Sequence, residues 1–171
     1  MTVRRLNHAV LYVRDVAASV AFYERALGFE VVLQMPGAAF LRASGSTNDH
    51  DLGLFAIGEA AGPSGAGTST VGLYHLAWEV ETLAQLRDAR ATLASMGALV
   101  GESDHSTTKS LYAHDPDGLE FEVCWIVPAD RLDQATKDAA GVSALDLDVE
   151  FARYGADTVG GLGVSWPVNA S

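Results

Sequence analysis

Cysteine is nearly absent from this chain. Cys124 stands alone among 171 residues, which excludes an intramolecular disulfide framework and fits a reducing cytoplasm. Basic residues are scarce as well: 11 Lys and Arg face 22 Asp and Glu, for a net charge of −11. No basic patch stands out, so no nucleic-acid partner is expected, because phosphate binding is built on Lys and Arg clusters. No apolar run approaches the roughly 20 residues needed to cross a bilayer, so no membrane partner is expected either. The opening MTVRRLNHAVLYVRD carries an arginine pair, but its apolar stretch breaks too early for a secretory signal. Against these absences, 49% hydrophobic and 19% charged residues describe a globular chain and not a disordered one. Its length suits one compact domain that buries about 70% of the surface of the unfolded chain.

What is present is a pattern that occurs twice. Leu6 to Val13 alternates as a strand and ends at Asp15, a good helix N-cap. Val16, Val20, Phe22, Tyr23 and Leu27 follow at helical spacing, with Gly28 as the stop. Strands are expected at 29–34, 37–42 and, after the polar loop SGSTNDH, at 51–57. The stretch EAAGPSGAGTST, residues 59–70, reads as a flexible linker. The pattern then restarts: strand Val71–Val80, helix Leu83–Met96, the stop Gly97, and strands at 98–102, 109–114 and 119–126. The Asp-Pro-Asp-Gly turn at 115–118 introduces the last strand. Each half therefore reads β-α-β-β-β, as two similar units whose residues face a shared cleft.

The repeat gives meaning to three residues. His8 and His75 fall 67 residues apart, on the first strand of each half, and Glu122 lies on the last strand of the second. Stepping back 67 residues from Glu122 reaches Phe55, so the histidine position is filled twice and the acidic position once. Two imidazoles and one carboxylate are the facial ligand set of non-haem Fe(II), which leaves coordination positions open.

The paired modules, the segment VRDVAASVAFYERALGFE and the ending DPDGLEFEV resemble the vicinal oxygen chelate superfamily, which includes glyoxalase I, extradiol ring-cleaving dioxygenases and fosfomycin-resistance proteins. The chain is most similar to single-domain extradiol catechol dioxygenases. The resemblance implies an α+β fold in which two tandem βαβββ modules pair into a curved, barrel-like mixed sheet around one metal site. Residues 1–127 would form that domain, with modules at about 4–58 and 71–127 and the linker at 59–70. Residues 128–171 would be an extension packing on the domain or on a partner subunit. Glyoxalase I uses four protein ligands, and Phe55 is no ligand, so three ligands remain and leave room for a catechol and O2. The implied metal is Fe(II), with Mn(II) as the alternative, held by His8, His75 and Glu122. NDHDLGLF resembles the extradiol element that carries a catalytic histidine, here His50. DHSTTKSLYAHDPDG resembles the stretch carrying a catalytic histidine and tyrosine, here His105 and Tyr112. The partners implied are a small aromatic diol and O2, with the chain as a homodimer. A metal-dependent isomerase or lyase and a metal-free binding protein are the competing members of the superfamily.

Each residue also has a plainer role. His8 and His75 can be half-buried histidines satisfied by hydrogen bonds, and His50 an exposed loop residue. Tyr112 can be packed for its ring. Glu120 shares a face with Glu122, and it either orients a ligand, replaces Glu122 as the ligand, or reaches solvent. His114, Asp115 and Asp117 read as turn residues, Cys124 as a small buried hydrophobe, and Trp78 and Trp125 as core or pocket wall. A helix is expected near 130–139, and Tyr154 and Trp166 are expected to pack on the pocket or on another subunit.

Overall fold

The structure, a computed structural model, describes residues 1–66, 69–138 and 141–165. Trp166 and two residues of the expected linker lie outside them. Cα packing divides the chain into two compact units. Residues 1–65 with 115–119 form one, and residues 66–114 with those from 120 onward form the other. The elements run β1 (Ala9–Val13), α1 (Val16–Leu27), β2 (Glu30–Met35), β3 (Ala38–Arg42) and β4 (Leu52–Ala56) in the first half. The second half repeats them as β5 (Leu76–Glu79), α2 (Leu83–Ser95), β6 (Leu99–Asp104), β7 (Thr108–His114) and β8 (Glu120–Ile126). A short 3-10 turn (Ala129–Arg131), α3 (Gln134–Asp138) and α4 (Leu147–Tyr154) follow. The fold is α+β, with two four-stranded mixed sheets in the orders β1-β4-β3-β2 and β5-β8-β7-β6. In each, the first strand runs parallel to the last and the remaining pairs are antiparallel.

The helices start and stop where their caps dictate. The Asp15 carboxylate accepts from the backbone N–H of Ala17 and Ala18 at the head of α1, and the Thr82 hydroxyl accepts from Gln85 N at the head of α2. Gly28 and Gly97 close them at φ 65° and 68°, a left-handed conformation that costs glycine nothing.

Both histidine-bearing strands begin later than their apolar pattern. β1 starts at Ala9, whose N–H makes the first ladder bond to Asp51 O. β5 starts at Leu76, opposite Phe121, because the turn before β8 leaves the earlier residues without a partner strand. His8 and His75 therefore each sit one residue ahead of a strand and not within it.

The strand registers also correct the equivalence of Phe55 and Glu122. Val10 pairs with Gly53, and the matching Ala77 pairs with Glu122. Helix α2 with its cap holds two more residues than α1 with its own, since Gly28 and Gly97 lie 69 residues apart while the helix starts lie 67 apart. Beyond the helices the repeat steps by 69. Gly53 is the counterpart of Glu122, and Phe55 that of Cys124. The asymmetry stands, because the first half has no carboxylate at this position, but the residue that marks it is a glycine.

In the second unit Leu111, Ala113, Phe121, Val123 and Trp125 form the buried face of the sheet. Leu83, Leu86 and Leu93 of α2 are likewise buried. Burying each such large apolar side chain contributes roughly 1.5–3 kcal/mol. The residues after β8 are built into this unit. The Trp125 indole N–H donates to Thr158 O (3.2 Å), and its ring lies 5.5 Å from that of Tyr154 on α4. Lys109, with no exposed side chain, sits between Asp104 (2.6 Å) and Glu150 of α4 (3.0 Å). The helix expected near 130–139 is split into the 3-10 turn and α3, while α4 falls where no helix was expected.

Candidate active site

Alternation along β7 and β8 puts the candidate residues of the second unit on the face opposite its core. Tyr112 pairs with Glu122, Ser110 with Cys124 and His114 with Glu120. Gly101 and Ser103 of β6 oppose Tyr112 and Ser110, and His105 continues that row. His75 leads into β5 beside β8. Four of the six residues read from the sequence (His75, His105, Tyr112 and Glu122) thus meet on one sheet face.

Their contacts are specific. His75 Nε2 lies 3.1 Å from Glu122 Oε2. Ser110, fully buried, donates its hydroxyl to Glu122 Oε1 at 2.5 Å. One carboxylate oxygen is therefore held by Ser110 while the other faces the imidazole. Two donor atoms bound at about 2.1 Å and at right angles around one ion stand about 3.0 Å apart. The observed separation suits adjacent positions on a divalent metal, and the donor set of imidazole nitrogen and carboxylate oxygen suits Fe(II) or Mn(II). Within neither unit do three His, Cys, Asp or Glu side chains gather at metal-holding distance among the described residues. His8, the third residue of the set, belongs to the first unit.

His105 Nε2 and the Tyr112 hydroxyl are 2.8 Å apart. The Tyr112 phenol is held above its ordinary pKa, first by burial and then by the negative charge of Glu122. Cys124 shares the face, but burial and the charges of Glu122 and Glu79 push its thiol up to about 12, so it is a small hydrophobe and not a nucleophile. His114 is exposed at the end of β7, with Nε2 3.7 Å from Glu120 Oε2.

In the first unit His8 and His50 stack with ring centroids 4.5 Å apart, and Phe40 meets His50 at 5.1 Å and Phe55 at 5.8 Å. His8 Nδ1 is 2.8 Å from the Asn7 side-chain oxygen. Asn48 ties this segment down by donating to Asn7 O and to Asp51, which also accepts from Ser46 and Ala43 N. The loop before β4 is thus organised around one buried carboxylate and carries His50 beside His8. The Asp-Pro-Asp-Gly turn belongs to this unit too. Asp117 pairs with Arg14 at 2.6 Å, and Asp115 accepts from the Tyr23 hydroxyl at 3.2 Å. Both aspartates are structural, as their turn position implies.

Ser110 is a functional candidate that the motifs do not reveal; its signal is a small hydroxyl two residues before Tyr112 in the strand TKSLYAH, hence on the same face.

Known proteins place this geometry in context. Residues 5–123 match the family model described as Glyoxalase/Bleomycin resistance protein/Dioxygenase superfamily. The chain is 36% identical to the biphenyl-2,3-diol 1,2-dioxygenase 3 of Rhodococcus globerulus over 125 residues, covering 70% of this chain and 62% of that protein. It is 31% identical to the catechol-2,3-dioxygenase of Bacillus subtilis (strain 168) over 121 residues, covering 69% of this chain and 40% of that protein. The chain thus spans less than two thirds of either relative. Among solved structures, the lactoylglutathione lyase of Agrobacterium tumefaciens superposes with a TM-score of 0.53 at 23% identity, over 70% of this chain and 92% of that one. That likeness bears on the fold alone. Among the described residues no helix is long and apolar enough to cross a membrane.

Proposed function

We propose that this chain, which belongs to the Glyoxalase/Bleomycin resistance protein/Dioxygenase superfamily, is an extradiol ring-cleaving dioxygenase acting on a catechol-type aromatic diol. The proposed ligands are His8, His75 and Glu122, with Fe(II) as the metal and Mn(II) as the alternative. The observation that carries the reading is the single sheet face on which His75 and Glu122 stand 3.1 Å apart beside the hydrogen-bonded pair His105 and Tyr112. An isomerase of this superfamily has no use for that second pair and calls for a fourth ligand, where this chain has Gly53.

Fe(II), when bound, supplies a chelation point for both diol oxygens and a route for electrons from the ring to O2. The chain's own residues do the rest. Glu122 offers one oxygen and one negative charge, because Ser110 holds the other oxygen. His105 takes a proton from a substrate hydroxyl and returns it, since imidazole exchanges protons near neutral pH. Tyr112, its phenol kept protonated by burial and by Glu122, donates a hydrogen bond to a substrate oxygen and orients His105. His50 is a donor for charge developing on oxygen, steadied by its contacts with His8 and Phe40. Phe40 and Phe55 present ring surfaces suited to a flat aromatic molecule. A free, buried Cys124 accords with work in a reducing cytoplasm. The homodimer reading rests on the edge strands that four-stranded sheets of this kind carry.

The test is reconstitution with Fe(II) without oxygen, addition of a panel of catechols, and admission of air. Oxygen uptake with a yellow ring-opened product is expected. A broad panel that consumes no oxygen while iron stays bound would end the reading.

A further inference from the structure

Glu120 has no part in the chemistry above, yet its surroundings are unusual. Its side chain is 19% exposed and shares the face of Glu122, two residues on in β8. Glu120 Oε1 and His75 Nδ1 are each sealed from solvent without a hydrogen-bond partner, and they stand 3.6 Å from each other. That is beyond hydrogen-bonding distance, but a small rotation of either side chain closes it. A buried donor and a buried acceptor left open side by side are a mutual solution to each other's desolvation. Glu120 is held in place from its other sides: the Tyr74 hydroxyl hydrogen-bonds to it, and His114 Nε2 lies 3.7 Å from Oε2.

The chemistry of imidazole gives this pairing a consequence. A histidine binds one ion through one nitrogen, and the other nitrogen then carries a proton that needs an acceptor. In His75 the nitrogen facing Glu122 is Nε2, so an ion held between those two groups leaves the proton on Nδ1, which faces Glu120. With that ion in place, the opposite tautomer would set the Nδ1 lone pair against the Glu120 carboxylate. His8 has the same arrangement, its Nδ1 lying 2.8 Å from the Asn7 side-chain oxygen. The geometry points to Glu120 as a positioning residue: it accepts from His75 Nδ1–H, fixes the tautomer and ring orientation of His75, and so leaves the Nε2 lone pair free for a divalent metal. This rests on His75 being a metal ligand.

The test titrates Co(II) into the full chain, followed by its visible spectrum, with ring 15N–1H correlations of His75 in the Zn(II)-loaded chain as a second readout. Zn(II)-loaded wild type shows a protected Nδ1–H signal. Glu120→Leu leaves that proton without its acceptor, so the signal is lost to exchange with water, and weakens Co(II) binding by about 10–100-fold. Glu120→Gln keeps an oxygen acceptor, so it retains the Nδ1–H tautomer and binds Co(II) within about threefold of wild type. A Zn(II)-loaded wild type with the proton on Nε2 overturns the proposal and needs no variant to fold. So does Glu120→Leu binding Co(II) like wild type. Glu120→Gln losing as much affinity as the leucine variant, with its tautomer intact, also overturns it, because Glu120 would then be a ligand itself. A His75→Ala chain that binds Co(II) like wild type instead removes the ligand reading beneath it.

Discussion

Lys109 gives the sharpest test of how the second unit is held together. Its ammonium group is fully buried, 2.6 Å from Asp104 and 3.0 Å from Glu150, and 5.8 Å from the centre of the Tyr154 ring. Asp104 ends β6 and Glu150 lies on α4, so one cation joins a strand edge to the last helix. Their side chains are 19% and 7% exposed. Replacing Lys109 with Met keeps most of the apolar stem but leaves two carboxylates shielded from water with no cation between them. Breaking a buried pair in this way costs about 3–5 kcal/mol. For a chain of this size each kcal/mol moves the midpoint by about 2–4 °C, so thermal unfolding should fall by roughly 6–20 °C. Replacing Glu150 with Leu in the same chain removes the more deeply buried of the two uncompensated charges and should recover part of the loss. Circular dichroism melts of the three proteins measure both effects. A Lys109→Met midpoint within about 2 °C of wild type would refute the reasoning, as would a double variant less stable than the single.

Three further outcomes concern the candidate site. Ser110→Ala removes the hydrogen bond that fixes Glu122, and calorimetric titration with Mn(II) should show affinity lowered by about 10-fold or more. Cys124, its thiol pushed from 9.0 to about 12, should resist a thiol reagent at pH 8 in the folded chain and react once the chain is unfolded. The stability gained by keeping that thiol neutral is full below its ordinary value and is lost only as pH climbs toward the raised one. Tyr112, raised by burial and by Glu122, should ionise above free tyrosine in an ultraviolet titration compared with Tyr112→Phe. The Glu122→Gln chain should shift that titration back down, because it removes the negative charge.

The fold was legible because each half announces its elements with local chemistry. Asp15 and Gly28 bracket one helix, Thr82 and Gly97 the other, and apolar alternation marks the strands. Strand starts were not legible, because a ladder begins where a partner exists: LNHAV continues its alternation back to Leu6, but β4 starts at Leu52 and meets only Ala9 onward. The equivalence of Phe55 and Glu122 failed through a two-residue difference between the helices. The distance between the stop glycines, 69 and not 67, carried the correction in the sequence itself. Of the site, the residue types and the shared face of Glu120 and Glu122 were readable from the sequence, whereas the placement of Tyr112 opposite Glu122 comes from the strand register. Which oxygen of Glu122 is free was not readable, because it depends on Ser110 reaching across from the neighbouring strand. The last helix was missed although Asp146 caps it and Leu147, Phe151 and Tyr154 recur at helical spacing, because its short length gives periodicity little weight.

The central claim is that this face serves oxygen insertion and not isomerisation. The most direct measurement is turnover of a catechol by the Fe(II)-reconstituted chain under 18O2, with mass analysis of the product. Ring opening that carries both labelled atoms is the expected result. A product formed without label, or an isomer of the substrate with no oxygen consumed, would contradict it.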